Sequence, residues 1–377
     1  MRLFTTVATA IIGLAGVQTV AGAPSNHTSP GCCRNPLVRY EWRQLSLEQR
    51  LSYIDAIKCL MSLPSEGNNL WPGAKTRYDD FQGMHIYVTE QVHFNVSQLN
   101  LRSKASGWIQ YADVTIGTFP PLRNKCSYQG TLPYWDLSLD NTAESFVNSP
   151  IFDNTYGFGG NGPYVEDISD DEEFPVKTPT EIPGRSGGGC VQEGPFANLT
   201  VSMGLGSSLE PQPHCLRRDF SPTLVASALR DEIVDRALSA PTYGEFNSHI
   251  QGYSFEFDSL TLHACMHLGI GGAVGEVHIH CYTSFVTYSS PGDPLFYFVH
   301  GALDKTWNDW QRRDWPARKT AIGGPDTIFA YPFNFFGDVP YENITLQYPL
   351  KYPNFGEDIP ISDVMDIHVG PFCYEYK

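Results

Sequence analysis

Apolar positions recur at helical spacing in several stretches of the chain. In WRQLSLEQRLSYIDAIKCLMSLP (42–64), Ser46 can cap a helix whose apolar face carries Leu51, Ile54, Ile57, Cys59, Leu60 and Met61. SPTLVASALRDEIVDRAL (221–238) reads as a second capped helix. TLHACMHLGIGG (261–272) predicts a third, with His263 and His267 one turn apart. In SSPGDPLFYFVHGALDKTWNDWQ (289–311), Asp293 can cap a fourth helix, with Pro294 at its first position. Phe296, His300, Leu303, Trp307 and Trp310 then fall on one stripe. The segment 154–194 is rich in Gly, Pro, Asp and Glu and reads as a long loop. Strand-like runs are short, as in the last forty residues, and no internal repeat is visible. The pattern predicts a mainly α chain with long irregular loops and a few short strands.

Composition narrows the setting. The chain has 377 residues, 41% hydrophobic and 13% aromatic, enough for a sizeable core. A net charge of −16 argues against nucleic acid and anionic membrane surfaces as partners, because both require clustered Lys and Arg. Met1 to Ala23 has Arg2, then an apolar run ending in small residues, and reads as a secretory signal. A membrane anchor is the competing reading, but Thr, Gly and Gln break the run and no stop-transfer pattern follows. The expectation is therefore an extracellular protein with a signal over 1–23 and a single domain over 24–377.

Secretion changes how the nine cysteines read. Cys32, Cys33, Cys59, Cys126, Cys190, Cys215, Cys265, Cys281 and Cys373 are scattered without CxxC pairs, which points to disulfides rather than zinc. The count is odd, so one thiol stays free unless chains are bridged. Asn26, Asn95, Asn198 and Asn343 stand in Asn-x-Ser/Thr triplets that fit glycosylation.

The sharper chemistry lies in the histidines. His263 and His267 share one helical face about 6 Å apart along the axis, close enough to serve one metal. Two buried, satisfied rings would have the same spacing. HExxH is absent, which disfavours a metalloprotease. His300, on the aromatic stripe, points inward and is either a core histidine or a third ligand. Three imidazoles suit copper, iron or zinc with an open position.

These motifs together resemble the type 3 copper family of tyrosinases and catechol oxidases. HxxxH followed by IGG, then Asp293-Pro294-x-Phe296, His300 and Asp304, is similar to the family's second copper motif. Tyr78-Asp79-Asp80-Phe81 before His85, the eight-residue step to His93, and LRNKCSYQGTLPYWDL (122–137) are similar to the first copper region of short secreted fungal polyphenol oxidases. The likeness runs from NPLVRYEWRQLS to DVMDIHVGPFCYEY, nearly the whole mature chain. It implies a four-helix bundle core holding two copper ions, each on three histidines, with small phenols and O2 as substrates. By resemblance the ligands are His85 and His93 for the first copper and His263, His267 and His300 for the second. On one straight helix His85 and His93 would lie about 12 Å apart and about 80° out of phase, so the chain must leave the helix between them.

The first site departs from the family pattern. Its third histidine is expected nine residues after His93, inside an FLPWHR-like segment, and that position is Arg102. From Phe94 to Pro121 there is no His, Cys or Met. Three accounts stay open. One is a displaced exon, which Val96-Ser97 would fit as the translation of a splice-donor hexamer. Another is a paralogue with an incomplete first site. The last is a replacement ligand such as His214, His249, His278 or His280. HIHCYTSFVTY (278–288) also reads as an insertion relative to the family, and the family's Cys-x-His crosslink is absent because Gln91 precedes Val92-His93.

The resemblance implies that the metals, rather than a protein acid or base, carry the redox step. The function expected is oxidation of o-diphenols, and of monophenols less well, to quinones. Ala264, the residue after the second site's first ligand, lacks the polar group that strongly hydroxylating members often place there. Asp304 is expected to lack its family partner, an Arg after the missing histidine. A non-catalytic protein keeping only the second copper is the alternative, and copper per chain separates the two.

Overall fold

Ser46 caps the first long helix as its sequence predicts. In the computed structural model, residues 33–89, 122, 125–166, 182–204, 206–251, 260–275, 288–324, 340–369 and 372–377 are described. Among them, helices run over α1 Leu47–Ser62, α2 Arg77–Thr89, α3 Ala143–Val147, α4 Pro222–Ala228, α5 Asp231–Ser239, α6 Tyr243–Gln251, α7 Leu262–Ile270, α8 Leu295–Arg313 and α9 Trp315–Arg318. Strands are short: β1 Leu37–Arg39, β2 Thr200–Val201, β3 His214–Cys215, β4 Pro349–Leu350, β5 Ile359–Pro360 and β6 Tyr374–Tyr376. They form three two-stranded sheets, of which β1 and β6 pair in parallel. The fold is mainly helical.

In α1 the Ser46 side chain accepts from Gln49 N while Gln49 Oε1 accepts from Ser46 N, a capping box that satisfies two otherwise orphaned donors. The buried face is Tyr53, Ile54, Ala56, Ile57 and Leu60, so it is rotated from the predicted one, and Leu51 lies at the exposed edge. A second difference concerns 221–238. It is two helices, because Arg230 is extended at φ −61°, ψ 142° and Asp231 and Glu232 open a new first turn. Acidic side chains are favoured at such a start by the helix dipole. Ser221 caps α4, and Leu224, Val225 and Ala228 bury against the core.

α2 is almost wholly buried, and its motif explains how it is held. Asp79 accepts from Lys75 N and Thr76 N at the helix start. Asp80 accepts from Trp71 Nε1, Gly67 N and Arg77 Nη1, tying the preceding loop to the helix. α7 packs against α4, α6 and α8. Disulfides Cys33–Cys373, Cys59–Cys126 and Cys190–Cys215 staple the termini and the long loop. Cys265 is a buried free thiol. Cys32 and Cys281, and the signal segment 1–23, lie outside the described residues.

Candidate metal centre

The glycines after Ile270 decide the geometry of α7's end. Gly271 and Gly272 have φ of 61° and 54°, a region that costs a side-chain-bearing residue strain. A Cβ on Gly272 would also meet Arg217 O at 2.1 Å. The turn returns the chain so that Val274 O lies 2.7 Å from His267 Nδ1. A carbonyl only accepts, so Nδ1 carries the hydrogen and Nε2 presents its lone pair.

His263, one turn earlier, donates through Nδ1 to Gln251 Oε1 at 2.6 Å, from the last position of α6. His300 enters from α8. His267 Nε2 lies 3.1 Å from His263 Nε2 and 3.3 Å from His300 Nε2, and the possible ligand atoms of all three lie within 4.8 Å of one another. All three rings are buried. Burial pulls the His267 imidazole down to about 4, favouring the neutral form a metal needs. Converging, backed imidazole nitrogens fit a nitrogen-preferring transition metal such as copper.

α8 is positioned at its start. Asp293 Oδ1 accepts from Leu295 N at 2.9 Å, with Pro294 just before the first helical residue rather than at it. The stripe Phe296, His300, Leu303, Trp307 and Trp310 is buried as the spacing predicts. The Phe296 ring lies 4.1 Å from that of His300 and 5.2 Å from that of His85 on α2, so it stands between them. His85 Nδ1 donates to Tyr288 O at 2.5 Å, and burial pulls its imidazole down to about 3. The same logic leaves the lone pair on its Nε2.

The remaining predicted residues distribute as follows. His93, Arg102, His278 and His280 lie outside the described residues, as does all of 94–121. His214 is in β3 with Nδ1 2.8 Å from Gln212 O, and His249 is half-buried on α6; among the described residues neither joins the metal-binding group. Ala264 is half-buried beside His263 on α7. Asp304 is buried, accepts from Tyr374 Oη at 2.7 Å and from Tyr376 Oη, and lies 3.7 Å from Arg39 Nη1. Among the described residues the arginine beside Asp304 is Arg39, from β1. Asn198 and Asn343 are exposed, whereas Asn26 and Asn95 lie outside the described residues.

Sequence reading missed Gln251, Val274 and Tyr288, the acceptors behind the imidazoles. The Gly-Gly pair was the one available signal, for Val274. It also missed Arg218, which binds Asp293 and the carbonyls of Phe158 and Gly160 in the core.

Helix-borne imidazoles converging inside a bundle form a candidate histidine metal centre. A family model described as the common central domain of tyrosinase matches residues 120–313, a span that begins past His85 and His93. Tyrosinase P of Aspergillus terreus is 31% identical over 360 residues, covering 91% of this chain and 93% of its own. N-acetyl-6-hydroxytryptophan oxidase of Emericella nidulans is 28% identical over 394 residues, covering 97% and 98%. A solved polyphenol oxidase variant from Thermothelomyces thermophila superposes with a TM-score of 0.72 at 28% identity, covering 91% of this chain and 89% of its own. The chain belongs to the tyrosinase family of oxidoreductases, which implies a dicopper centre of type 3.

Proposed function

We propose that His263, His267 and His300 hold one copper ion, in a scaffold built to oxidise o-diphenols with O2. The convergence of the three imidazoles, with His263 and His267 each backed through Nδ1 by an acceptor, supports this reading. His85 and His93 are assigned to a first copper, which is weakly held because the third histidine is missing. Copper when bound supplies the electron transfers between phenol and O2. The chain's own residues set what surrounds it. Val274 O and Gln251 fix the rings, Phe296 packs between His85 and His300, and the buried walls exclude water.

Substrate choice follows from Ala264. Hydroxylating a monophenol requires its proton to be removed as it docks, and a methyl group neither accepts that proton nor orients a water. We therefore assign o-diphenols as preferred substrates over monophenols. The apolar run Met1–Ala23, three disulfides and the exposed Asn198 and Asn343 support a secreted, glycosylated protein with one mature domain over 24–377. Among the described residues no helix is long and apolar enough to cross a membrane, and the charge of −16 disfavours nucleic acid.

A second reading, a copper protein without catalysis, is favoured by the absence of His, Cys and Met over 94–121. Catechol oxidation separates the two states of the site. The chain as it stands should show little or no turnover, and replacing 94–121 with an FLPWHR-like segment should produce it. The restored protein should oxidise catechol with a higher kcat/KM than it hydroxylates phenol. Robust catechol turnover by the unaltered chain with two bound coppers overturns the incomplete first site. Equal kcat/KM for phenol and catechol overturns the role given to Ala264.

A further inference from the structure

Two of the buried imidazoles already described are oriented by backbone carbonyls: Val274 O behind His267 and Tyr288 O behind His85. His263 is different, because what lies behind its Nδ1 is a side chain, Gln251 Oε1 at 2.6 Å. Gln251 closes α6 and is buried. Among the described residues its amide nitrogen has no acceptor, so the polar engagement of this side chain is directed at His263. A buried amide held in this way is costly unless its oxygen is used.

We infer that Gln251 is a positioning residue that selects the Nδ1–H tautomer of His263 and so readies its Nε2 for the metal. This deepens the copper reading above and rests on it for the identity of the ion. The amide oxygen can only accept, so it forces the hydrogen onto Nδ1 and bares Nε2. Without that oxygen, Nδ1–H would be buried without this acceptor. The ring then gains by moving its hydrogen to Nε2, because His267 Nε2 lies 3.1 Å away as an acceptor with its own hydrogen held on Nδ1 by Val274. That arrangement turns an N–H into the space where a metal would sit. Binding must then displace the hydrogen and rebuild the tautomer. A residue behind a ligating histidine typically changes metal affinity by 10–100-fold.

Three proteins test this: wild type, Gln251→Leu, which keeps the size but not the acceptor, and Gln251→Glu, which keeps an acceptor. Nitrogen-15 NMR of the metal-free proteins reads the His263 tautomer directly. Competition of copper(II) ions against a chelator reads the affinity. The expected result is Nδ1–H in wild type and Gln251→Glu, Nε2–H in Gln251→Leu, and about 10–100-fold weaker copper binding in Gln251→Leu alone. An unchanged tautomer and unchanged affinity in Gln251→Leu overturn the inference and leave the copper reading intact. A changed tautomer in a protein whose copper uptake ignores His300→Ala supports Gln251's role and sinks the copper reading instead. If Gln251→Leu does not fold, wild type alone decides, since Nε2–H on its His263 overturns the inference.

Discussion

Arg218 and Asp293 meet through Nε to Oδ2 at 2.7 Å and Nη2 to Oδ1 at 3.0 Å, with neither side chain exposed. The same Asp293 oxygen that accepts from Nη2 accepts from Leu295 N, so the guanidinium holds the start of the helix carrying Phe296 and His300. Removing one partner of a buried pair strands the other charge, at a cost of about 3–5 kcal/mol. Arg218→Met should therefore lower stability by about that amount in urea unfolding, and lower copper affinity with it. A loss below about 1 kcal/mol would show that the pair does not anchor α8.

Phe296 should be felt at both sides of the centre. Its ring is 1% exposed and touches those of His300, His85 and His267, so its removal opens a cavity between α2, α7 and α8. Phe296→Ala is expected to cost about 3–5 kcal/mol in denaturant unfolding. Phe298→Ala, on the same helix but packed on Trp42, Tyr53 and Phe158, gives the comparison for copper binding. Phe296→Ala should weaken it more at comparable loss of stability, and equal weakening would reduce Phe296 to packing.

How much of this was legible in the sequence depends on the range of the interaction. Ser46 and the stripe Phe296, His300, Leu303, Trp307 and Trp310 were readable because capping and helical phase are local. His263 and His267 were readable for the same reason, and their meeting with His300 followed from helical phase together with the family motif. The break at Arg230 was not, because 221–238 is apolar enough in pattern to pass for one helix. Gln251, Tyr288 and Arg218 act across distant segments with no motif, so nothing local marks them. Asp304 was expected only to lack its family partner, and its contacts with Arg39, Tyr374 and Tyr376 come through the pairing of β1 with β6, which no local motif marks.

The metal-free protein should lose stability in mild acid. His85 and His267 are pulled by burial to about 3 and about 4, below the value near 6.5 of an unfolded histidine. The unfolded chain therefore takes up protons that the folded chain refuses. Stability is fully present above about pH 6.5 and falls as pH drops toward 4, by up to about 1.4 kcal/mol per pH unit for each ring. Urea unfolding at a series of pH values reads the slope, and His85→Phe should make it shallower. An unchanged slope in that variant would remove His85 from the account.

The disulfide Cys33–Cys373 ties the first described residue to the residue just before β6, the strand that pairs with β1. Losing such a bridge typically costs about 2–5 kcal/mol. The double variant Cys33→Ser/Cys373→Ser should lower Tm accordingly, and should loosen Tyr374 and Tyr376 around Asp304. Unchanged Tm would mean that the β1–β6 pairing suffices alone.

Copper per chain, measured by mass spectrometry of metal content after dialysis against a mild chelator, tests the central claim most directly. One tightly held copper is predicted, retained in His85→Ala and lost in His300→Ala. Two tightly held coppers would contradict the incomplete first site, and none, or one that survives His300→Ala, would contradict the assignment of His263, His267 and His300.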